Sequence, residues 1–61
     1  MASSFIDAVE YRPEVEVLYV TIRGKAYGYR AVSPEVAAQF EAAESLGKFF
    51  NSQIRGHYEE V

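Results

Sequence analysis

Cysteine and tryptophan are absent from the 61 residues, and histidine occurs once. Without cysteine there is no disulfide and no thiolate metal site. His57 alone cannot build a zinc site unless carboxylates or a second chain complete it. No stretch approaches the ~18–20 apolar residues of a membrane span, and the first residues lack the basic and apolar regions of a signal peptide. These absences place the expected location in the cytoplasm. An excess of positive charge is missing too: six Lys and Arg stand against nine Asp and Glu, a net charge of −3. Non-specific nucleic-acid binding draws on a broad basic surface, which this balance does not favour; a small cationic pocket remains compatible with it. There is no glycine-rich phosphate loop and no dinucleotide fingerprint. The single histidine has no evident serine and carboxylate partners for nucleophilic catalysis. The expectation is therefore a non-enzyme, with no catalytic residue, no metal and no cofactor.

What is present is apolar and aromatic. Hydrophobic residues make up 49% of the chain, with five tyrosines and four phenylalanines. A domain of this size buries only about 60% of its unfolded surface, and scaffolds this small commonly add disulfides, metals or partner subunits. With the first two excluded, an efficient core or self-association must serve, and a homo-oligomer is the preferred expectation for residues 1–61 as one domain.

The patterning predicts an α+β fold: a three-stranded antiparallel meander followed by two helices packed on one face. Residues 4–12 alternate weakly, with Phe5, Val9 and Tyr11 on one face and Asp7 between them. Arg12-Pro13-Glu14 reads as a turn. Residues 15–23 are β-branched and aromatic, with Leu18, Val20 and Ile22 on one face and Val17, Tyr19 and Thr21 on the other, which suits a central strand. Gly24 supplies a tight hairpin. The third strand, 25–30, sets Tyr27 and Tyr29 against Ala26 and Gly28, and the two small residues suggest a helix packed closely on their side. Ser33-Pro34-Glu35 offers a helix cap, a proline at the first helical position and an early acid, with Val32 and Ala37 as a hydrophobic staple. That helix is expected to end near Glu44. A second runs from Ser45 to about His57, its apolar arc built from Leu46, Phe49, Phe50, Ile54 and Tyr58. Gly47 in its first turn costs helix stability and so implies a close contact.

The order Val9-Glu10-Tyr11, Leu18-Tyr19-Val20, Tyr27-Gly28-Tyr29 and Val32-Ser33-Pro34, followed by Ala43-Glu44-Ser45-Leu46-Gly47-Lys48-Phe49-Phe50-Asn51 and Ile54-Arg55-Gly56-His57-Tyr58, resembles the KTSC domain. This short module is named after the C-terminus of certain lysyl-tRNA synthetases. The likeness runs from Ser4 to Tyr58, and its most specific part is the run from Ala43 to Tyr58. Arg12-Pro13 departs from the Asp-Pro that the family often carries. The resemblance implies the fold, and a family that occurs as stand-alone bacterial and phage proteins; it carries function only by analogy.

Ser45, Lys48, Asn51 and Arg55 recur at helical intervals and offer a hydroxyl, an ammonium, an amide and a guanidinium on one face. Arginine grips phosphate with paired hydrogen bonds and lysine adds a mobile charge. The alternative is the solvated face of an amphipathic helix. Tyr27 and Tyr29 can stack on a base, or simply cover the core. Arg23, Lys25 and Arg30 gather at the hairpin, where they either serve phosphates or discourage edge-to-edge aggregation. The leading expectation is a binding module for a phosphorylated ligand such as a nucleotide. Two copies could then enclose a cyclic dinucleotide, and a phage-encoded protein of this kind would be a sponge for an immune signal. The alternatives are a protein-interaction or assembly module working through the aromatic sheet face, and an accessory RNA-contacting module.

Overall fold

The computed structural model describes residues 5–61. Ser4, where the first strand was expected to begin, lies outside them. Strands β1 (Ile6–Arg12), β2 (Val17–Ile22) and β3 (Lys25–Tyr29) form one antiparallel sheet in the order β1-β2-β3. Helix α1 (Pro34–Glu41) follows. A second helix, α2, starts as an α-helical turn, Leu46–Phe49, and continues as a π-helical segment, Phe50–Ile54. The α+β fold of three strands and two helices is thus the one its pattern predicts.

β2 is central because both its faces are apolar. Leu18 and Val20 are fully buried under the helices with Val32, Phe40 and Ile54. Tyr29 pairs with Leu18 and Tyr27 with Val20, so both tyrosines lie on this covered face. Ala26 and Gly28 lie on the opposite, open face, and no helix packs there, contrary to expectation. Gly28 serves another contact: a Cβ at this position would stand 2.5 Å from Val61 Cγ2 and 2.9 Å from Tyr19 Cε1.

β1 contains a bulge between Ile6 and Ala8. The extra residue shifts the alternation, so that buried Ile6 joins Val9 and Tyr11 in packing on the core. Asp7, at the bulge, uses its Oδ2 to accept the Gly24 N–H at 2.9 Å, tying β1 to the hairpin turn. The Tyr11 hydroxyl donates to the Val32 carbonyl oxygen at 2.6 Å and locks the sheet to the lead-in of α1. Ser33 caps α1 by accepting from the Val36 N–H, with Pro34 at its start. Val32 and Ala37 are both buried, as a staple requires.

The last three residues return to the sheet. Arg30 N–H donates to the Glu59 carbonyl oxygen at 2.9 Å and Val61 N–H to that of Gly28 at 2.8 Å, around a Tyr29–Glu60 bridge. This strap covers the β3 edge. Since Gly28 leaves room for Val61, Gly28→Ala should push Val61 away and loosen the strap, at little cost in global stability because Val61 is exposed and lies outside the core. Faster amide exchange at Val61, with an unfolding midpoint close to the parent's, is the expected result.

Tyr29 is 7% exposed. Burial first, then the charge of Glu60, raises its phenol pKa above the ordinary 10.0, with Arg55 acting in the opposite sense. Tyr11 is raised as well, by burial and by Glu16. The unfolded phenols ionise first as pH rises, so proton release favours unfolding. Stability from these two groups is complete below about pH 10 and falls as pH climbs through the folded values. Denaturant midpoints followed into the alkaline range test this; a flat profile would contradict it, and Tyr29→Phe should reduce the slope.

Candidate functional site

The sheet, the end of α2 and the strap enclose an open cleft of about 670 Å³ on the helix-bearing side. Tyr27 and Tyr29 come from β3, Arg23 and Lys25 from the hairpin, Arg55 and Tyr58 from the segment after α2, Glu60 from the strap. Each arrives there for a local reason.

The hairpin loop is Arg23-Gly24, closed by the Ile22–Lys25 pair. Both loop residues have positive φ, 52° and 82°, the geometry of a two-residue turn matched to strand twist. Glycine accepts that geometry freely; arginine is strained there by about 1 kcal/mol or more. Asparagine is the residue such a turn favours; Glu16 and Ala31 also hold positive φ, 56° and 61°. Lys25 Nζ lies 5.8 Å from the centre of the Tyr27 ring, a cation–π distance.

Arg55 is delivered by the π segment. Its N–H donates to the Phe50 carbonyl oxygen at 2.8 Å, the widened i→i+5 bond, and its own backbone is already extended (φ −64°, ψ 125°). Gly56 then turns the chain at φ 82°. The helix therefore stops at Ile54, three residues short of the expected end at His57, because a left-handed glycine terminates it. Likewise α1 stops at Glu41 rather than near Glu44. π segments of this kind recur at functional sites.

The expected polar stripe is divided by this geometry. Ser45 is committed as the α2 cap, its Oγ accepting the Lys48 N–H at 3.3 Å. Lys48 and Asn51 are exposed on the helix and do not line the cleft. Arg55 lies beyond the last helical residue and does line it, with Tyr27 and Tyr29. The hairpin cations Arg23 and Lys25 join them, whereas Arg30 pairs with Glu59 at 3.7 Å instead. Phe5 and Glu60 were not anticipated here, and Tyr58 was expected on the apolar arc of the last helix. The close contact inferred at Gly47 is Phe5 itself, whose Cε1 would be 2.9 Å from an added Cβ; Phe5 also meets Phe50 edge-on at 6.1 Å.

Charge is distributed unevenly between this cleft and the rest of the surface. Arg12 is held by Glu10 at 2.7 Å and Glu14 at 3.6 Å, and Arg30 by Glu59. Among the described residues, Arg23, Lys25, Lys48 and Arg55 enter no ion pair, and all of these but Lys48 line the cleft. Three cations outside any ion pair and three tyrosine rings thus share one concave surface of a protein whose net charge is −3. No group of three or more possible metal ligands occurs among the described residues, and no helix among them is long and apolar enough to cross a membrane.

Fold and cleft together define a small α+β domain, a meander backed by two short helices, with a cationic and aromatic hollow at one end. The KTSC domain family model matches residues 2–58. The chain therefore belongs to the KTSC domain family. It is 38% identical over 60 residues to an uncharacterized protein of Stutzerimonas stutzeri, covering 95% of this chain and 84% of the relative. A protein of Tsukamurella paurometabola is also 38% identical over 60 residues, with 97% and 90% covered. The crystal structure of a KTSC domain protein from Yersinia pestis superposes with a TM-score of 0.91 at 29% identity, over all of this chain and 87% of that one.

Proposed function

We propose that the chain is a non-enzymatic binding module for a phosphorylated small molecule, most simply a nucleotide. The observation that supports this reading is the grouping of Arg23, Lys25 and Arg55, none of them in an ion pair, with Tyr27, Tyr29 and Tyr58 around one cleft. The hairpin cations supply charge and hydrogen bonds to phosphate, and the half-buried rings of Tyr27 and Tyr58 offer stacking surfaces. A volume near 670 Å³ lies in the usual range for small-molecule sites, about 300–1,000 Å³. The cleft is open on one side, and a second copy of the chain would close it over a ligand with two phosphates, such as a cyclic dinucleotide. In that form the protein acts as a cytoplasmic sponge, releasing what it binds unaltered. Calorimetry with linear and cyclic nucleotides tests the reading, alongside native mass spectrometry for subunit count. Saturable binding with the nucleotide recovered intact supports it, and no heat with any member of the panel removes it.

A second reading, a protein-interaction module, draws on the open sheet face. There Tyr19 is 36% exposed and Val61 62%. On that reading Tyr19→Ala abolishes association, and substitutions in the cleft leave it intact.

A further inference from the structure

Charge within the cleft is sorted along β3. Arg23 and Lys25 stand at the hairpin end, Tyr27 comes next, and Tyr29 with its bridged neighbour Glu60 stands at the other end. Lys25 and Tyr29 are four strand residues apart, about 13 Å at ~3.3 Å per residue. Glu60 is the one carboxylate lining the cleft, and among the described residues it enters no ion pair. Arg55 and Glu60 line the same cleft, Glu60 bridged to Tyr29, and the charges of both act on the Tyr29 phenol.

Glu60 stands ~13 Å from the hairpin cations, beyond the ~8 Å screening length. It therefore leaves phosphate held there largely unaffected and is available to accept from hydrogen-bond donors that the ligand brings to it. Nucleobases differ in this respect. The pairing edge of guanine runs acceptor, donor, donor: O6, N1–H and the N2 amino group. A carboxylate accepts from the two adjacent donors, and an arginine beside it donates to O6. Adenine sets a ring-nitrogen acceptor in the middle of that edge, which a carboxylate repels. Cytosine offers one amino donor beside an acceptor, and uracil one N–H between two carbonyls.

Building on the cleft as a site for phosphorylated ligands, we propose that Glu60 and Arg55 make it selective for guanine nucleotides. Glu60 accepts from N1–H and N2–H, Arg55 donates to O6, and the base rests against Tyr27 and Tyr58. The phosphate is directed to Arg23 and Lys25. The strap that seals the β3 edge is then also the part of the chain that reads the base.

Calorimetric titration of the full chain with guanosine, inosine and adenosine 5′-monophosphates and with inorganic phosphate tests this, for the parent and for Glu60→Gln. A good bidentate pair discriminates by ~1–3 kcal/mol, so guanosine monophosphate should bind about tenfold or more tighter than adenosine monophosphate. Inosine monophosphate, which lacks the N2 amino group, should fall between them; this comparison uses the unaltered protein. Glu60→Gln should bring the guanine ligand down towards the adenine one and leave inorganic phosphate unchanged. Equal affinities for the two purines in the parent would overturn the assignment while leaving the cleft a phosphate site. A Glu60→Gln variant that binds every phosphate more tightly would also overturn it, making Glu60 a mere opposing charge. Failure of all four ligands to bind would remove the cleft reading itself.

Discussion

Phe40→Ala should leave the domain largely unfolded. Phe40 is fully buried and packs on Phe49 with ring centres 5.5 Å apart. Truncating a buried phenylalanine costs about 3–5 kcal/mol through lost transfer energy and the cavity left behind. A single core in a chain this short rarely supplies more than about 3–5 kcal/mol, and there is no disulfide to hold it together. The substitution therefore removes most or all of the margin. Loss of amide dispersion in a proton–nitrogen NMR spectrum, together with loss of a cooperative thermal transition, is the expected outcome. A cooperative transition only a few degrees below the parent's would contradict the assignment of Phe40 as the centre of a single small core. Phe40→Leu, which keeps more of the volume, should cost less and retain a cooperative transition.

Arg23→Asn should separate binding from folding. Arg23 sits at φ 52°, a conformation asparagine adopts more readily. Stability should hold or rise by a few tenths to about 1 kcal/mol. Removing one charge-assisted contact to phosphate should weaken the ligand by about tenfold or more, since hydrogen bonds to charged groups are worth ~1.5–3 kcal/mol. A thermal midpoint and a titration on the same sample decide the matter. Weaker binding with unchanged or higher stability supports a functional reason for the strained arginine. Lower stability with unchanged binding would make Arg23 a structural residue and remove one of the three cations from the proposed site.

The parts of this fold that were legible in the sequence are those where one physical signal acts alone. β2 is visible because its β-branched and aromatic run is apolar on both faces, and α1 because Ser33-Pro34-Glu35 combines cap, φ restriction and dipole. The bulge in β1 was not visible: Ile6, Val9 and Tyr11 share the core only because one residue is looped out at Asp7, and that depends on pairing with β2. The end of α2 had a signal, Gly56, but the apolar periodicity continued to Tyr58 and concealed it. The strap had none, since Glu59-Glu60-Val61 reads as solvated charge until the β3 edge is there to receive it.

The candidate site divided in the same way. Tyr27, Tyr29 and Arg55, named from the sequence, line one cleft together with the hairpin cations Arg23 and Lys25. Ser45, Lys48 and Asn51 were joined to Arg55 by assuming a continuous α-helix. The change to a π segment and the extended backbone at Arg55 divide that stripe. Helical spacing identified polar residues, and only the three-dimensional path showed which of them face a cavity.

The most direct test of the cleft as the ligand site is an NMR titration of the uniformly labelled chain with guanosine 5′-monophosphate. Saturable shifts should concentrate at Arg23, Lys25, Tyr27, Arg55, Tyr58 and Glu60, with Lys48 and Asn51 unmoved. An unchanged spectrum, or shifts centred on Lys48 and Asn51 or on the open face at Tyr19, would contradict the account.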